Sequence, residues 1–243
     1  MPHKTSIYQS PKLLWFLQIS YTCVILLSNW FDIRLIKIFG IETDAGTLIF
    51  PFTFLLSDLI TEVYGYKFAR RVIWIGFLFN FIFIVYGQLI VNLPSPDYAI
   101  INNQNFDSMI DLSMRIIIAS TISYLFAEPL NSYIMAQLKI HTKGKYMALR
   151  FISSTFIASF FDSLIFGSIA FYKVIPNAKL FSFILHLWLI KITIEIIGVV
   201  FSLKLAKILK RIEKLDIYDI KTNFNLFKLE AIYRSDNNRY HHN

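Results

Sequence analysis

Charge is scarce in this chain. Only 16% of its 243 residues are charged, whereas 56% are hydrophobic and 17% aromatic, and the mean hydropathy is +0.53. A soluble globular domain carries roughly a quarter charged residues, so an ordinary water-soluble enzyme is excluded. Cys23 stands alone, which rules out an intrachain disulfide and a thiolate zinc cluster. There is no glycine-rich phosphate loop, no histidine pair at metal spacing and no nucleophile elbow. The sequence therefore encodes neither an ATPase nor a zinc protease, and no cofactor or metal is expected. A net charge of +8 and a pI near 9.4 come without any nucleic-acid recognition motif, so no nucleic-acid partner is expected.

What the chain has in abundance is long apolar runs. Punctuated by charges and turn residues, they fall at about Leu13–Phe31, Gly46–Tyr64, Val72–Leu93, Ile116–Gln137, Met147–Lys173 and Phe181–Leu203. Each is near the roughly 20 residues that a helix needs to cross a bilayer. Backbone in lipid must satisfy its own hydrogen bonds, and none of these runs alternates in polarity as a barrel strand would. The expected fold class is all-α: a polytopic bundle of six transmembrane helices in the lipid bilayer. Lys4 and Lys12 before the first run are also compatible with a cleaved leader, but no small-residue cleavage pattern follows Leu27, so the run is read as a membrane helix.

Lysine and arginine in the short loops set the expected orientation. One side carries Lys4, Lys12, Lys67, Arg70, Arg71, Lys139, Lys143, Lys145, Lys204, Lys207, Lys210, Arg211 and Lys214; the other has only Arg34, Lys37, Arg115, Lys173 and Lys179. Both termini are thus expected in the cytoplasm. The polar stretch Pro94–Leu112 is expected to be the longest outside loop. Residues 1–215 are read as the transmembrane domain and 216–243 as a polar cytoplasmic tail, partly disordered.

Ionisable groups inside spanning segments cost about 2.5–3.5 kcal/mol each on insertion scales, so each demands an explanation. Asp58 and Glu62, four apart, share a helical face that can bind a cation, share a proton or grip a polar ligand. Alternatively, Glu62 lies near the headgroups and meets Arg70 or Arg71. Glu128 precedes Pro129, which frees a carbonyl about one turn back, a device by which transporter helices line cavities; packing alone is the competing reading. Asn131 lies on nearly the same face. Thr155, Ser159, Asp162 and Phe166 fall at helical spacing, with Asp162 deep in its segment. Lys191 either neutralises Glu195, one turn on, or reaches across to Asp162 or Glu128. His186 is read as an incidental interfacial residue. Intramembrane proteases also use buried aspartates, so an intramembrane enzyme and a structural membrane protein stand beside a solute transporter as function classes.

Taken together, Gly46-Thr47-Leu48-Ile49-Phe50-Pro51, the run Ser57-Asp58-Leu59-Ile60-Thr61-Glu62-Val63-Tyr64-Gly65-Tyr66, Ala69-Arg70-Arg71, Ala127-Glu128, Asn131-Ser132-Tyr133, Asp162-Ser163, Phe166, Lys191, Glu195 and the distal Asn223-Phe224-Asn225 closely resemble the queuosine precursor transporter family, also called the vitamin uptake transporter family. The sequence departs from that pattern at Ser153, Ala158, Ser159 and Ile196-Ile197-Gly198-Val199, positions that shape the pocket. The resemblance implies uptake of a 7-deazaguanine across a bacterial inner membrane: the 7-cyano or 7-aminomethyl precursor of queuosine, or queuine. It implies a site drawn from Asp58, Glu62, Glu128 and Asp162 for the base edge, Asn131 and Ser159 for its other polar atoms, Phe166 for its flat face, and Lys191 to hold a carboxylate. Proton coupling, facilitated diffusion and an ATPase partner, as in energy-coupling vitamin transporters, all remain open, as does a homodimer.

Overall fold

In the computed structural model, which describes residues 11–240, six helices account for most of the chain: α1 (Leu14–Phe31), α2 (Pro51–Tyr64), α3 (Tyr66–Val91), α4 (Ile100–His141), α5 (Met147–Phe171) and α6 (Asn177–Glu213). All six are long and apolar enough to cross a membrane, α2 together with the short helical turn Gly46–Leu48 before it. A two-stranded antiparallel hairpin, β1 (Leu35–Ile38) and β2 (Ile41–Asp44), links α1 to that turn.

Polarity is distributed inside out. Asp58, Glu62, Glu128, Asp162, Lys191 and Glu195 are buried, whereas Trp15, Phe16, Leu78, Phe79, Phe81 and Phe201 are exposed. An apolar exterior around a polar interior suits hydrocarbon and would be costly in water. Every residue of α2 except Phe52 and Leu56 is buried. At roughly 21 Å for 14 residues it is too short to span the bilayer unaided. The others pack around it, α4 along α5 and α5 along α6.

Two boundaries differ from the sequence expectation. α3 begins at Tyr66, not Val72, because Gly65 (φ +86°) turns the chain in a single residue, so Lys67, Arg70 and Arg71 lie in helical turns and not in a loop. α4 begins at Ile100, so most of the asparagine-rich stretch expected as a loop is helix; at 42 residues it is about 63 Å long, roughly twice the hydrocarbon thickness. It also runs unbroken through Pro129. The charged continuation of α6 remains helical to Glu213, whose carboxylate accepts the backbone N–H groups of Lys12 and Leu13 at 2.9 and 2.6 Å and so satisfies the start of α1.

The tail is docked, contrary to the expected partial disorder. Arg70 donates to the carbonyls of Asn223, Asn225 and Glu230 at 3.1, 2.6 and 3.0 Å, and Trp74 Nε1 donates to Leu226 at 2.9 Å. The Asp219 carboxylate accepts the Tyr66 backbone N–H at 3.0 Å and the Tyr233 hydroxyl at 2.5 Å. Ile217 and Tyr233 are buried against Tyr64 and Phe68. Lys4 lies outside the described residues.

Candidate functional site

At the basic end of the bundle, Glu62 is held by cations from three helices. Arg150 of α5 grips it through both carboxylate oxygens at 2.9 Å, Lys210 of α6 approaches to 2.5 Å and Lys139 of α4 to 3.7 Å. Lys139 and Lys210 also meet Asp216 at 2.7 and 2.8 Å. Burial pushes the Asp216 carboxyl up, but the two lysines bring it below the ordinary aspartate range. Arg70 and Arg71, weighed as partners of Glu62, bind tail carbonyls instead, because the single-residue turn at Gly65 directs them toward the tail.

One turn deeper the balance of charge reverses. Asp58 of α2 accepts one hydrogen bond, from Asn131 Nδ2 of α4 at 2.8 Å, and its second oxygen has no hydrogen-bond partner. Ser57 and Ser132, the adjoining residues, bridge the same two helices at 3.0 Å. Both carboxyl oxygens of Glu128 lack a partner. The hydroxyls of Thr53 and Tyr21 face Glu128 but donate elsewhere, to the Phe50 carbonyl at 2.8 Å and to Tyr124 at 3.3 Å. Glu195 of α6 is likewise without a hydrogen-bond partner at either oxygen, and Thr155 is its polar neighbour. The Thr155 and Ser159 hydroxyls of α5 and the Asn131 carbonyl are buried and unpartnered too. Among the described residues, no lysine or arginine forms an ion pair with Asp58, Glu128 or Glu195.

Toward the hairpin end a single ion pair appears. Lys191 of α6 binds Asp162 of α5 at 2.5 Å, with its ammonium 4.7 Å from the ring centre of Phe50 and 5.7 Å from that of Phe166. The second Asp162 oxygen has no hydrogen-bond partner. The pairing of Lys191 with Glu195 weighed from their spacing does not form: Lys191 reaches across to α5, and Glu195 is left facing Thr155. Asp162, Phe166 and Lys191 line a cavity of about 10 Å³, also lined by Asp32, Thr47, Phe50, Ser120 and Ser123, which has room for about one water. That cavity is too small for an organic ligand.

The structure brings Asp58, Glu128, Asn131, Ser159, Asp162, Phe166 and Lys191 to one polar interior shared by α2, α4, α5 and α6. It places Glu62 apart, in the basic network. The sequence reading placed Thr155 in the polar stripe and Glu195 one turn from Lys191 but put neither in the site, because the spacing of Glu195 suggested neutralisation by Lys191. Chemically this interior is rich in carboxyl groups and poor in cations, with the Thr155 and Ser159 hydroxyls able to donate or accept, which suits a ligand that offers N–H groups side by side.

The family profile described as putative vitamin uptake transporter matches residues 44–205. A probable queuosine precursor transporter of Bacillus subtilis (strain 168) is 23% identical over 185 residues, 75% of this chain and 80% of its own length. The queuosine precursor transporter of Escherichia coli (strain K12) is 27% identical over 168 residues, 68% of this chain and 72% of its own. A probable queuosine precursor transporter of Haemophilus influenzae (strain ATCC 51907 / DSM 11121 / KW20 / Rd) is 30% identical over 139 residues, 56% of this chain and 54% of its own. No solved structure matches the chain.

Proposed function

This chain belongs to the vitamin uptake transporter family of multi-pass membrane proteins, and from that premise we propose that it carries a 7-deazaguanine precursor of queuosine, or queuine, into a bacterial cell across the inner membrane. The observation that supports the reading is a set of buried polar groups on α2, α4, α5 and α6 with oxygens left without a hydrogen-bond partner: both carboxyl oxygens of Glu128 and Glu195, the hydroxyls of Thr155 and Ser159, the Asn131 carbonyl, and the second oxygens of Asp58 and Asp162. A guanine-like base presents a ring N–H beside an amino group, a pattern that a carboxylate accepts in bidentate fashion. Asp58 and Glu195 serve that edge, Asn131 and Ser159 the remaining polar atoms, and Phe166 the flat face. Lys191 holds Asp162 in place, and Glu62 stabilises the basic end that closes the interior from that side.

Since the cavity holds about one water, the base enters only when the helices separate, and alternating access is the implied cycle. Both termini face the cytoplasm in this reading, with residues 1–215 as the transporter domain, 216–243 as a segment docked on its inner end, and the hairpin outside. The test is tRNA queuosine content in bacteria unable to make the precursors, fed each base separately at low concentration, with and without this chain. Restoration by one base identifies the cargo. Absence of restoration by any of them, with the protein present in the membrane, means either a different cargo or a missing energy-coupling partner, and co-purification of an ATPase with this chain distinguishes the two. Asp162→Asn, compared with wild type at matched protein level in the membrane, is expected to abolish restoration, and retained restoration would remove Asp162 from the site.

A further inference from the structure

We propose that the chain beyond α6 is the latch of a gate at the basic end: Asp216, Ile217 and Tyr218 lock the Glu62 network shut, and the interior opens at that end only when they lift away. The gate's place in the path of the base rests on the transport reading above; the latch itself does not.

The network ties together the four helices that carry the unpartnered oxygens of the interior. Glu62 lies one turn along α2 from Asp58, and its cations Lys139, Arg150 and Lys210 come from α4, α5 and α6. While those contacts hold, the four helices cannot separate at this end, and a base has no passage between them. The charges of the network do not balance without the tail. Three cations face Glu62, and Asp216 supplies the second anion, 2.7 Å from Lys139 and 2.8 Å from Lys210. Taking Asp216 away leaves three cations on a single carboxylate, and repulsion between the two lysines then favours their parting.

Residues 216–218 lie over this network as a cover. Lys214 takes φ +53°, a conformation that side chains disfavour, and so reverses the chain out of α6. Lys139 Nζ donates to the carbonyl of Glu62 and, at 2.8 Å, to that of Ile217, while the Ile217 backbone N–H donates to the Val63 carbonyl at 3.3 Å. The Tyr218 ring centre is 4.7 Å from the Lys139 ammonium, and its hydroxyl packs on the α4–α5 loop at Gly144, where a β-carbon would fall 2.0 Å from it. Beneath this cover the side chains of Glu62, Arg150 and Lys139 are at most 3% exposed. Beyond it, Asp219 and Arg70 clamp the strap to the start of α3, through the Tyr66 backbone N–H and the tail carbonyls. The latch is thus anchored on α6 at one end and on α3 at the other. Lifting it admits water to the three cations, which then no longer depend on Glu62 and Asp216 for solvation, so latch and gate open together.

Two measurements on the full chain in lipid, both in a Cys23→Ser background, decide the matter. The first needs no substrate. Single cysteines replace Ser57, beside Asp58 behind the gate, and Ser123, in the small cavity at the hairpin end. A small water-soluble thiol reagent should modify Ser57→Cys roughly tenfold faster or more once Asp216→Asn is added, with the rate at Ser123→Cys unchanged. An unchanged rate at Ser57→Cys would overturn the latch, and so would an equal rise at both positions, which is general loosening. In the second, Lys145→Cys and Tyr218→Cys are bridged by a short bifunctional methanethiosulfonate, and exchange of a labelled 7-deazaguanine across vesicles is followed. Bridging should stop exchange, and dithiothreitol should restore it in the same sample. Undiminished exchange by the bridged protein would overturn the gate. If Cys23→Ser alone exchanges no base, the transport reading falls and the gate's place in the path with it, while the labelling rates still decide the latch.

Discussion

Lys191 shows how little charge the interior tolerates. Its ammonium is buried, its ion pair is with Asp162, and two aromatic faces complete its surroundings. Lys191→Met leaves Asp162 uncompensated in a closed interior, for which a loss of about 3–5 kcal/mol is expected, seen as a lower thermal midpoint in detergent. Adding Asp162→Asn should recover most of that loss, because the two side chains share one interaction, yet it should not recover uptake. Glu195 behaves differently, since it has no ionic partner to strand. Glu195→Gln should leave the midpoint unchanged or higher while uptake falls roughly tenfold or more, the worth of about one charge-assisted hydrogen bond. An equal fall in stability and uptake would make Glu195 structural.

At the scale of elements, Gly65 decides how the basic end is built. Its φ of +86° is unfavourable for any side chain, and a β-carbon there would sit 2.4 Å from the Tyr233 hydroxyl and 2.7 Å from Ile217. Gly65→Ala should therefore cost about 1–3 kcal/mol and loosen the tail, detected as new protease cleavage within residues 216–240. Asp216 gives the same dock a pH signature. Its folded carboxyl lies below the ordinary range once the lysines have outweighed burial, so its contribution is complete above the unfolded aspartate value and is lost as pH falls through the folded one. The stability gap between wild type and Asp216→Asn should shrink in that acidic window and nowhere else. This end of the molecule was the part least legible from sequence. Hydropathy separates apolar runs from charged ones, so Lys67, Arg70 and Arg71 read as loop, and the tail as solvent-bound. Nothing local announces that arginine donors on α3 will meet tail carbonyls some 150 residues away. The six spans and the buried carboxyls were legible because lipid makes their signals strong. The separate fate of Glu62 was not, since its cations come from three distant helices.

For the whole molecule, orientation gives the rest its direction. Helix ends alternate, so the start of α1, the α2–α3 turn, the α4–α5 loop and the end of α6 share one side, which also bears Arg70, Lys143, Lys145, Lys207 and Lys214. The opposite side carries the hairpin, the α3–α4 connection and the α5–α6 connection, where basic residues are few. Basic loops are retained in the cytoplasm, so the hairpin side is predicted to face out. Cys23 is the only cysteine, which makes the prediction easy to test: after Cys23→Ser, single cysteines can be placed at Tyr98 and Lys145, both exposed and at opposite ends. A membrane-impermeant maleimide should label Tyr98→Cys in intact cells and Lys145→Cys only after permeabilisation. The reverse pattern would put the hairpin in the cytoplasm and overturn the orientation read from the basic loops, and with it the assignment of the docked tail to the inner end.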